Sequence, residues 1–239
     1  MNGEEWLDRT ERLIGSEALG RLVAARVALF GIGGVGGYAL EVLARSGIGA
    51  IDLIDGDRVA VTNINRQLIA LTSTVGRMKT DVAEERIKDI NPRCKVMKHN
   101  IFYLPDNADT INLKDYDYVA DCIDNITAKA ELIRRCTEMN VPIISCMGAA
   151  FKMNVTAFRV ADLADTKMDP IAKLLRKRLR PLGIEHVKVV YSEEVPLLRQ
   201  EKNEEGRETR PIPASNAFVP AAAGLLLGSE VVKDLTTKK

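Results

Sequence analysis

The chain has no Cys-x-x-Cys pair, and its four cysteines, at 94, 122, 136 and 146, are scattered singly through the middle of the sequence. That spacing argues against a structural zinc site, which needs thiolates grouped in pairs. No signal peptide opens the chain, and no apolar run approaches the roughly 20 residues of a membrane span. A cytoplasmic location with reduced thiols, and no stable transmembrane insertion, is the expectation. Excess charge is missing too, the formal net charge being +1. This balance does not advertise nucleic-acid binding, although a local basic face can act within a nearly neutral molecule. With 239 residues, 46% of them hydrophobic and 28% charged, the chain can build one large α/β domain, or a domain with a small appendix.

What is present begins with a strand, a tight turn and a helix. Arg26-Val-Ala-Leu-Phe30 reads as a buried parallel strand that breaks into Gly31-Ile-Gly33-Gly34-Val-Gly36, followed by helix from Gly37 to about Ser46. Glycines let a phosphate approach the backbone, and a helix N-terminus offers it free N–H groups. The next strand, Ala50 to Ile54, ends at Asp55, placed to bind ribose hydroxyls. Any nucleotide-binding Rossmann unit would share this much. More specific are Asp55-Gly-Asp57, then Asn63-Ile-Asn65-Arg66-Gln67, Gly76-Arg-Met-Lys79 and Asp121-Cys-Ile-Asp124-Asn125. Hydride transfer to a nicotinamide has no use for these charges. Nucleotidyl transfer needs cations on a triphosphate and a carboxylate for magnesium as pyrophosphate leaves. The plainer alternative makes Arg66 and Lys79 solvated surface cations and Asp124 a cap for a helix from Ile126 to Met139.

Strands expected near 26–30, 50–54, 94–98, 116–122 and 142–147 alternate with helical stretches, the clearest running from Gly76 to Ile90 and ending at Pro92. This defines an α/β fold, a Rossmann-like doubly wound and mainly parallel sheet, with an ATP-binding domain over 1–150. Residues 151–239 read as a C-terminal extension packed on the same domain. In it, Asn154 to Val160 and Val187 to Tyr191 look like later strands of more alternating, antiparallel character that extend the sheet and form a wall over the site. Between them Asp169 to Arg180 reads as a helix with Ile171, Leu174, Leu175 and Leu179 as its buried stripe and a basic remainder of Lys173, Arg176, Lys177, Arg178 and Arg180. A polar, mobile loop is expected near 200–213. The apolar segment from Ala217 to Leu235 calls for burial at a dimer seam or the back of the sheet. Cys122 and Cys146 fall in strands as core residues, while Cys94 and Cys136 are ambiguous.

The glycine turn, the Asp-x-Asp, the Asn-x-Asn-Arg-Gln and the Asp-x-x-Asp-Asn together resemble the ubiquitin-activating-enzyme-like adenylating enzymes, the ThiF/MoeB/HesA superfamily, over about Arg9 to Gly148. The resemblance implies ATP and Mg2+ as cofactors, with Gly33 and Gly34 against the phosphates, Asp55 on ribose, Asn65, Arg66 and Lys79 on the triphosphate and Asp124 on magnesium. The neighbouring motif residues Gly31, Gly36, Asp57, Asn63, Gln67 and Asn125 complete the implied nucleotide site. Arg9-Thr-Glu-Arg12 resembles the family's amino-terminal arginine pair, and Arg12 would reach into a neighbouring subunit's site, implying a homodimer. Relatives that form a thioester or persulfide place a cysteine beyond the nucleotide domain; this chain has none after Cys146.

The basic helix and the strand from Val189 to Pro196, in that order after a short nucleotide domain, resemble the branch that dehydrates threonylcarbamoyladenosine beside the tRNA anticodon. That resemblance covers nearly the whole chain and implies ATP-dependent cyclisation, with tRNA as substrate and the five basic residues of the helix as candidate RNA contacts. Because the activated carboxylate would be attacked from within the same nucleoside, no enzyme nucleophile is required. An activator of a Gly-Gly protein tail, a nucleotide-bound scaffold for a sulfur-transfer partner and an NAD oxidoreductase are the alternatives. The sequence leaves open whether a monovalent cation supports the site and whether a cysteine desulfurase is a partner.

Overall fold

The structure is a computed structural model that describes residues 5–197, 201–202, 208–209 and 213–237. In chain order its helices and strands are α1 (Asp8–Ile14), α2 (Ser16–Ala24), β1 (Arg26–Phe30), α3 (Gly36–Arg45), β2 (Ala50–Ile54), α4 (Lys79–Ile90) and β3 (Lys95–His99). They continue with β4 (Tyr118–Asp121), α5 (Ile126–Met139), β5 (Ile143–Cys146), β6 (Phe158–Asp162), α6 (Pro170–Leu179), β7 (Lys188–Ser192) and α7 (Val219–Thr236). Seven strands form one sheet in the order β3-β2-β1-β4-β5-β7-β6, all parallel except β6, which runs antiparallel to β7. The order reverses between β1 and β4, and ligands of open α/β sheets bind at the carboxyl ends of the strands at such a point. The glycine turn, Asp55-Gly-Asp57 and Asp121 to Asn125 stand at the carboxyl ends of β1, β2 and β4 on that edge.

The inner strands are buried on both faces, so they read as unbroken apolar runs. One face packs Leu40, Leu43, Val82, Ile87, Ala223 and Leu227 of α3, α4 and α7. The other packs α5 through Leu132 and Cys136, and α6 through Leu175 and Leu179. The expected stripe of α6 is corrected at one position. Leu174 is 48% exposed and Ala172 is buried in its stead, because 172, 175 and 179 follow one face of the helix whereas 174 turns away.

Two boundaries also shift. The helix expected from Gly76 starts at Lys79, because Gly76 takes φ +86 and Met78 is extended. The strand expected from Asn154 starts at Phe158, because the Asn154 side chain accepts from Thr156 N and holds a single 3-10 turn. The loop expected over 200–213 falls largely outside the described residues; within it Glu201–Lys202 pairs antiparallel with Glu208–Thr209.

α7 lies on α3 and the sheet, which settles its burial at the back of the sheet. The contact is close because two turns of the helix lack side chains: a Cβ on Gly224 would lie 2.2 Å from Val35 O, and one on Gly228 would lie 2.8 Å from Val42 Cβ. Its far end is tied down by Asp234, which accepts from Tyr118 Oη (2.6 Å) and Lys188 Nζ (2.8 Å). No described helix is long and apolar enough to cross a membrane.

Candidate active site

The glycine turn divides its work. Gly31 has φ +86 and its missing Cβ leaves room for Cys122 O, 2.8 Å from where that atom would stand; Gly36 sits against Gly31 O at 1.8 Å by the same measure. Both are required by the turn itself. Gly34 faces Pro220 of α7 and Arg66. Gly33 alone meets only Gln67 Nε2, at 4.0 Å, and so leaves backbone open to a ligand.

Asp55, 9% exposed, braces this turn. Its Oδ2 accepts from Ile32 N at 2.6 Å and its Oδ1 from Asp57 N at 2.8 Å. Burial pushes its pKa up, opposed by the nearby ammonium of Lys79 and by these two bonds. Each oxygen keeps a lone pair for a ribose hydroxyl. Lys79, at the start of α4, is buried with Nζ 2.8 Å from Asp57 Oδ2 and 4.0 Å from Asp55 Oδ2. A buried ammonium between two carboxylates at a strand end is placed to exchange one of them for phosphate oxygens.

Across the turn, Arg66 donates through Nη1 to Thr62 O (2.9 Å) and Asn65 Oδ1 (3.0 Å), and Asn65 donates to Ser215 O (3.2 Å). Asn63 is committed locally, accepting from Ala60 N at 3.0 Å. Gln67 is buried, and its Oε1, like Ser215 Oγ, has no hydrogen-bond partner among the described residues. Buried polar atoms without partners are rare, and these are two of five such atoms among the described residues, Gln67 being next to Arg66 in the chain and Ser215 in contact with Asn65.

The third piece follows β4. Asp124 is exposed and has no ion pair or hydrogen bond among the described residues, whereas Asn125 caps α5 by accepting from Thr127 N (2.9 Å) and Ala128 N (3.1 Å). The loop is shaped from below by Asp121, fully buried, which accepts from Ile123 N (3.0 Å), Lys129 Nζ (2.8 Å) and Ser145 Oγ (2.6 Å). Lys129 and Ser145 were not foreseen from the sequence. A charged residue on the helix face shared by Leu132, Ile133 and Cys136 was the available signal.

Arg12 is not brought to this site. Its side chain is 77% exposed and paired with Asp8 at 3.0 Å on α1, while Leu7 just before that helix packs at Gly47, at the amino edge of the sheet. On α6 and at its C-cap, Lys173, Lys177, Arg178 and Arg180 are exposed, although Arg178 also donates to Thr127 Oγ1 at 2.7 Å. Arg176 turns inward, donating to Leu163 O (3.1 Å) and Thr166 O (3.0 Å). Burial pushes every thiol up, Cys94 to about 11 and Cys146 to about 12, with Cys122 and Cys136 also raised, so none is a ready thiolate.

A doubly wound sheet with an open glycine backbone, a buried lysine, an arginine and a free carboxylate at its carboxyl edge is the arrangement of an ATP-using enzyme that transfers an adenylyl group to a carboxylate. The ThiF family pattern matches residues 7–239, and the chain belongs to that family. The chain is 45% identical over 236 residues to the tRNA threonylcarbamoyladenosine dehydratase of Bacillus subtilis (strain 168), an overlap of 95% of this chain and 93% of that protein. Among solved structures, the E. coli tRNA N6-threonylcarbamoyladenosine dehydratase in complex with AMP superposes with a TM-score of 0.88 at 38% identity, covering 97% of this chain and 94% of that one. The complex of the same enzyme with ATP gives a TM-score of 0.87 at 37% identity with the same coverage.

Proposed function

We propose that this chain uses ATP to dehydrate threonylcarbamoyladenosine in tRNA to a cyclic product. The observation that carries this reading is that a relative named for the activity aligns along almost the whole chain, the C-terminal extension included, and not along the nucleotide-binding half alone.

The chemistry follows from the side chains present. The threonine carboxylate attacks the α-phosphorus of ATP, giving an acyl-AMP anhydride and pyrophosphate. A nucleophilic atom of the same modified nucleoside then attacks the acyl carbon, its proton is released, and AMP leaves with one former carboxylate oxygen. The nucleoside has lost one water. Lys79 and Arg66 oppose the charge that accumulates on the phosphates, where fixed cations act strongly in a water-poor site. Gly33 admits the phosphates, and Gln67 Oε1 and Asp55 meet donors of the nucleotide. The acceptor belongs to the substrate, so proximity replaces an enzyme nucleophile, in keeping with four thiols held protonated by burial.

No cluster of three or more His, Cys, Asp or Glu among the described residues could cage a metal alone. Asp124 fits a magnesium ion shared with phosphates and water, the usual manner for that ion, and the ion would supply charge neutralisation there. Arg12, rooted at the far edge of its own sheet, would serve the site of a second copy in a homodimer. Lys173, Lys177, Arg178 and Arg180 are exposed for tRNA phosphates, while Arg176 holds the segment before α6.

The test is mass spectrometry of nucleosides from threonylcarbamoylated tRNA incubated with the protein, ATP and magnesium, under mild handling that preserves a cyclic product. ATP-dependent loss of one water from the modified adenosine is expected. An unchanged nucleoside, together with ATP–pyrophosphate exchange driven by a small protein with a Gly-Gly tail, would move the chain to the protein-activating branch.

A further inference from the structure

A continuous polar path joins the ATP site to the basic helix. From Asn65, beside Arg66, it passes to Ser215 O at 3.2 Å. The next residue, Asn216, accepts from Phe218 N (3.1 Å) and Val219 N (2.8 Å) to start α7, and donates to Lys152 O at 2.9 Å. Lys152 is 3% exposed, and its Nζ lies 3.2 Å from Asp169 Oδ2 and 3.3 Å from Ser192 O at the end of β7. The other oxygen of Asp169 accepts from Ile171 N (2.9 Å) and Ala172 N (3.1 Å), fixing the first turn of α6.

Two features set this joint apart from ordinary packing. A buried ion pair is a poor device for stability, since apolar residues of similar volume usually do as well, but breaking it is costly and it therefore holds its two segments in one geometry. The residues just before each partner, Phe151 at φ 60 and Met168 at φ 62, hold left-handed backbone that bulky side chains avoid. Phe151 is kept there from two sides, donating to Ala214 O at 2.8 Å and accepting from Leu197 N at 2.7 Å. Strain and a buried charge pair thus meet where the extension crosses the carboxyl edge.

We infer that Lys152 and Asp169 are positioning residues for the tRNA-bound nucleoside, locking the basic helix to the 214–216 segment that touches Asn65 and so fixing the RNA-facing surface relative to the ATP site. This rests on the dehydratase reading. The pair touches neither ATP nor the reacting atoms, so its loss should appear in the use of tRNA and not in the binding of ATP.

The experiment compares wild type with Lys152→Met, Asp169→Asn and the double variant by thermal melting, direct ATP binding and KM for threonylcarbamoylated tRNA. Asparagine keeps the helix cap, and the double variant leaves no buried charge unpaired, so its melting should return towards wild type. KM for tRNA should nonetheless rise about tenfold in all three, within the range of couplings between sites, with ATP affinity unchanged. A double variant that regains both wild-type melting and wild-type KM would reduce the pair to a structural role and overturn the inference. Wild-type protein inactive on the tRNA would instead remove the dehydratase reading itself. A second measurement needs no variant: hydrogen exchange at the amides of Ile171 and Ala172 in the wild-type chain should slow when threonylcarbamoylated tRNA is added, and exchange indifferent to saturating tRNA would overturn the inference.

Discussion

Arg66 is half-exposed and Asp124 exposed, and little anchors either, so the roles proposed for them can be tested without disturbing the fold. Replacing either with alanine should abolish turnover while changing stability by no more than about 0.5 kcal/mol, as is usual for surface positions; rate assays and melting curves on the purified variants check both. Wild-type rates from either variant would show that the ATP site is misplaced. Lys129→Met should behave in the opposite sense. It strands Asp121 as an unpaired buried carboxylate, so a loss of about 3–5 kcal/mol in denaturant unfolding is expected. The sequence distinguished these residues only in part. The motif residues stood out because their order along the chain is the order in which a bound nucleotide would meet them in the proposed site. Their division of labour was not, since Asn63, Asn125 and Gly36 prove to hold turns and caps, and whether a side chain faces ligand or backbone depends on neighbours distant in sequence.

Elements show the same limits. α7 was legible as a helix wanting burial, but its partner was not, because the glycines that admit α3 look from the sequence like interruptions. Gly224→Ala should push α7 from Val35, costing about 1–3 kcal/mol as overpacking does. Since Val35 belongs to the glycine turn, ATP affinity should fall along with the melting temperature, and calorimetric titration would detect it. On α5, the Arg134 guanidinium beside Glu131 holds that carboxyl below its ordinary value of 4.5, with burial opposing. A carboxyl depressed in the folded state adds stability above its unfolded pKa and loses it as pH falls through the folded value. Acid melting below about pH 4.5 should therefore be milder in Glu131→Gln than in wild type. Asp55, raised by burial, acts with the opposite sign and gives back a little stability on acidification. For α6, Lys173→Glu with Lys177→Glu should weaken tRNA binding and flatten its salt dependence while sparing ATP binding, because phosphate contacts release counterions.

At the scale of the whole molecule, Arg12 is rooted away from the proposed site of its own chain, and in the homodimer proposed above it would complete the site of the second copy. Arg12→Ala and Asp124→Ala proteins, each inactive alone, should recover activity when mixed under conditions of subunit exchange, because some mixed dimers then hold one intact site. No recovery despite demonstrated exchange, followed by mass-tagged subunits, would remove the trans-acting arginine. The sequence by itself determined the alternation of strand and helix, hence the doubly wound sheet, and the run of glycines, carboxylates and cations at its carboxyl edge on which the proposed ATP site rests. Those are properties of local order, and period, turn chemistry and motif spacing record them. Tertiary structure alone decided that Asp55 braces the turn, that Arg176 faces inward, and that Lys129 with Asp121 and Lys152 with Asp169 are buried pairs. Burial and pairing are contacts between segments far apart in the chain, and no local pattern encodes which segments will meet.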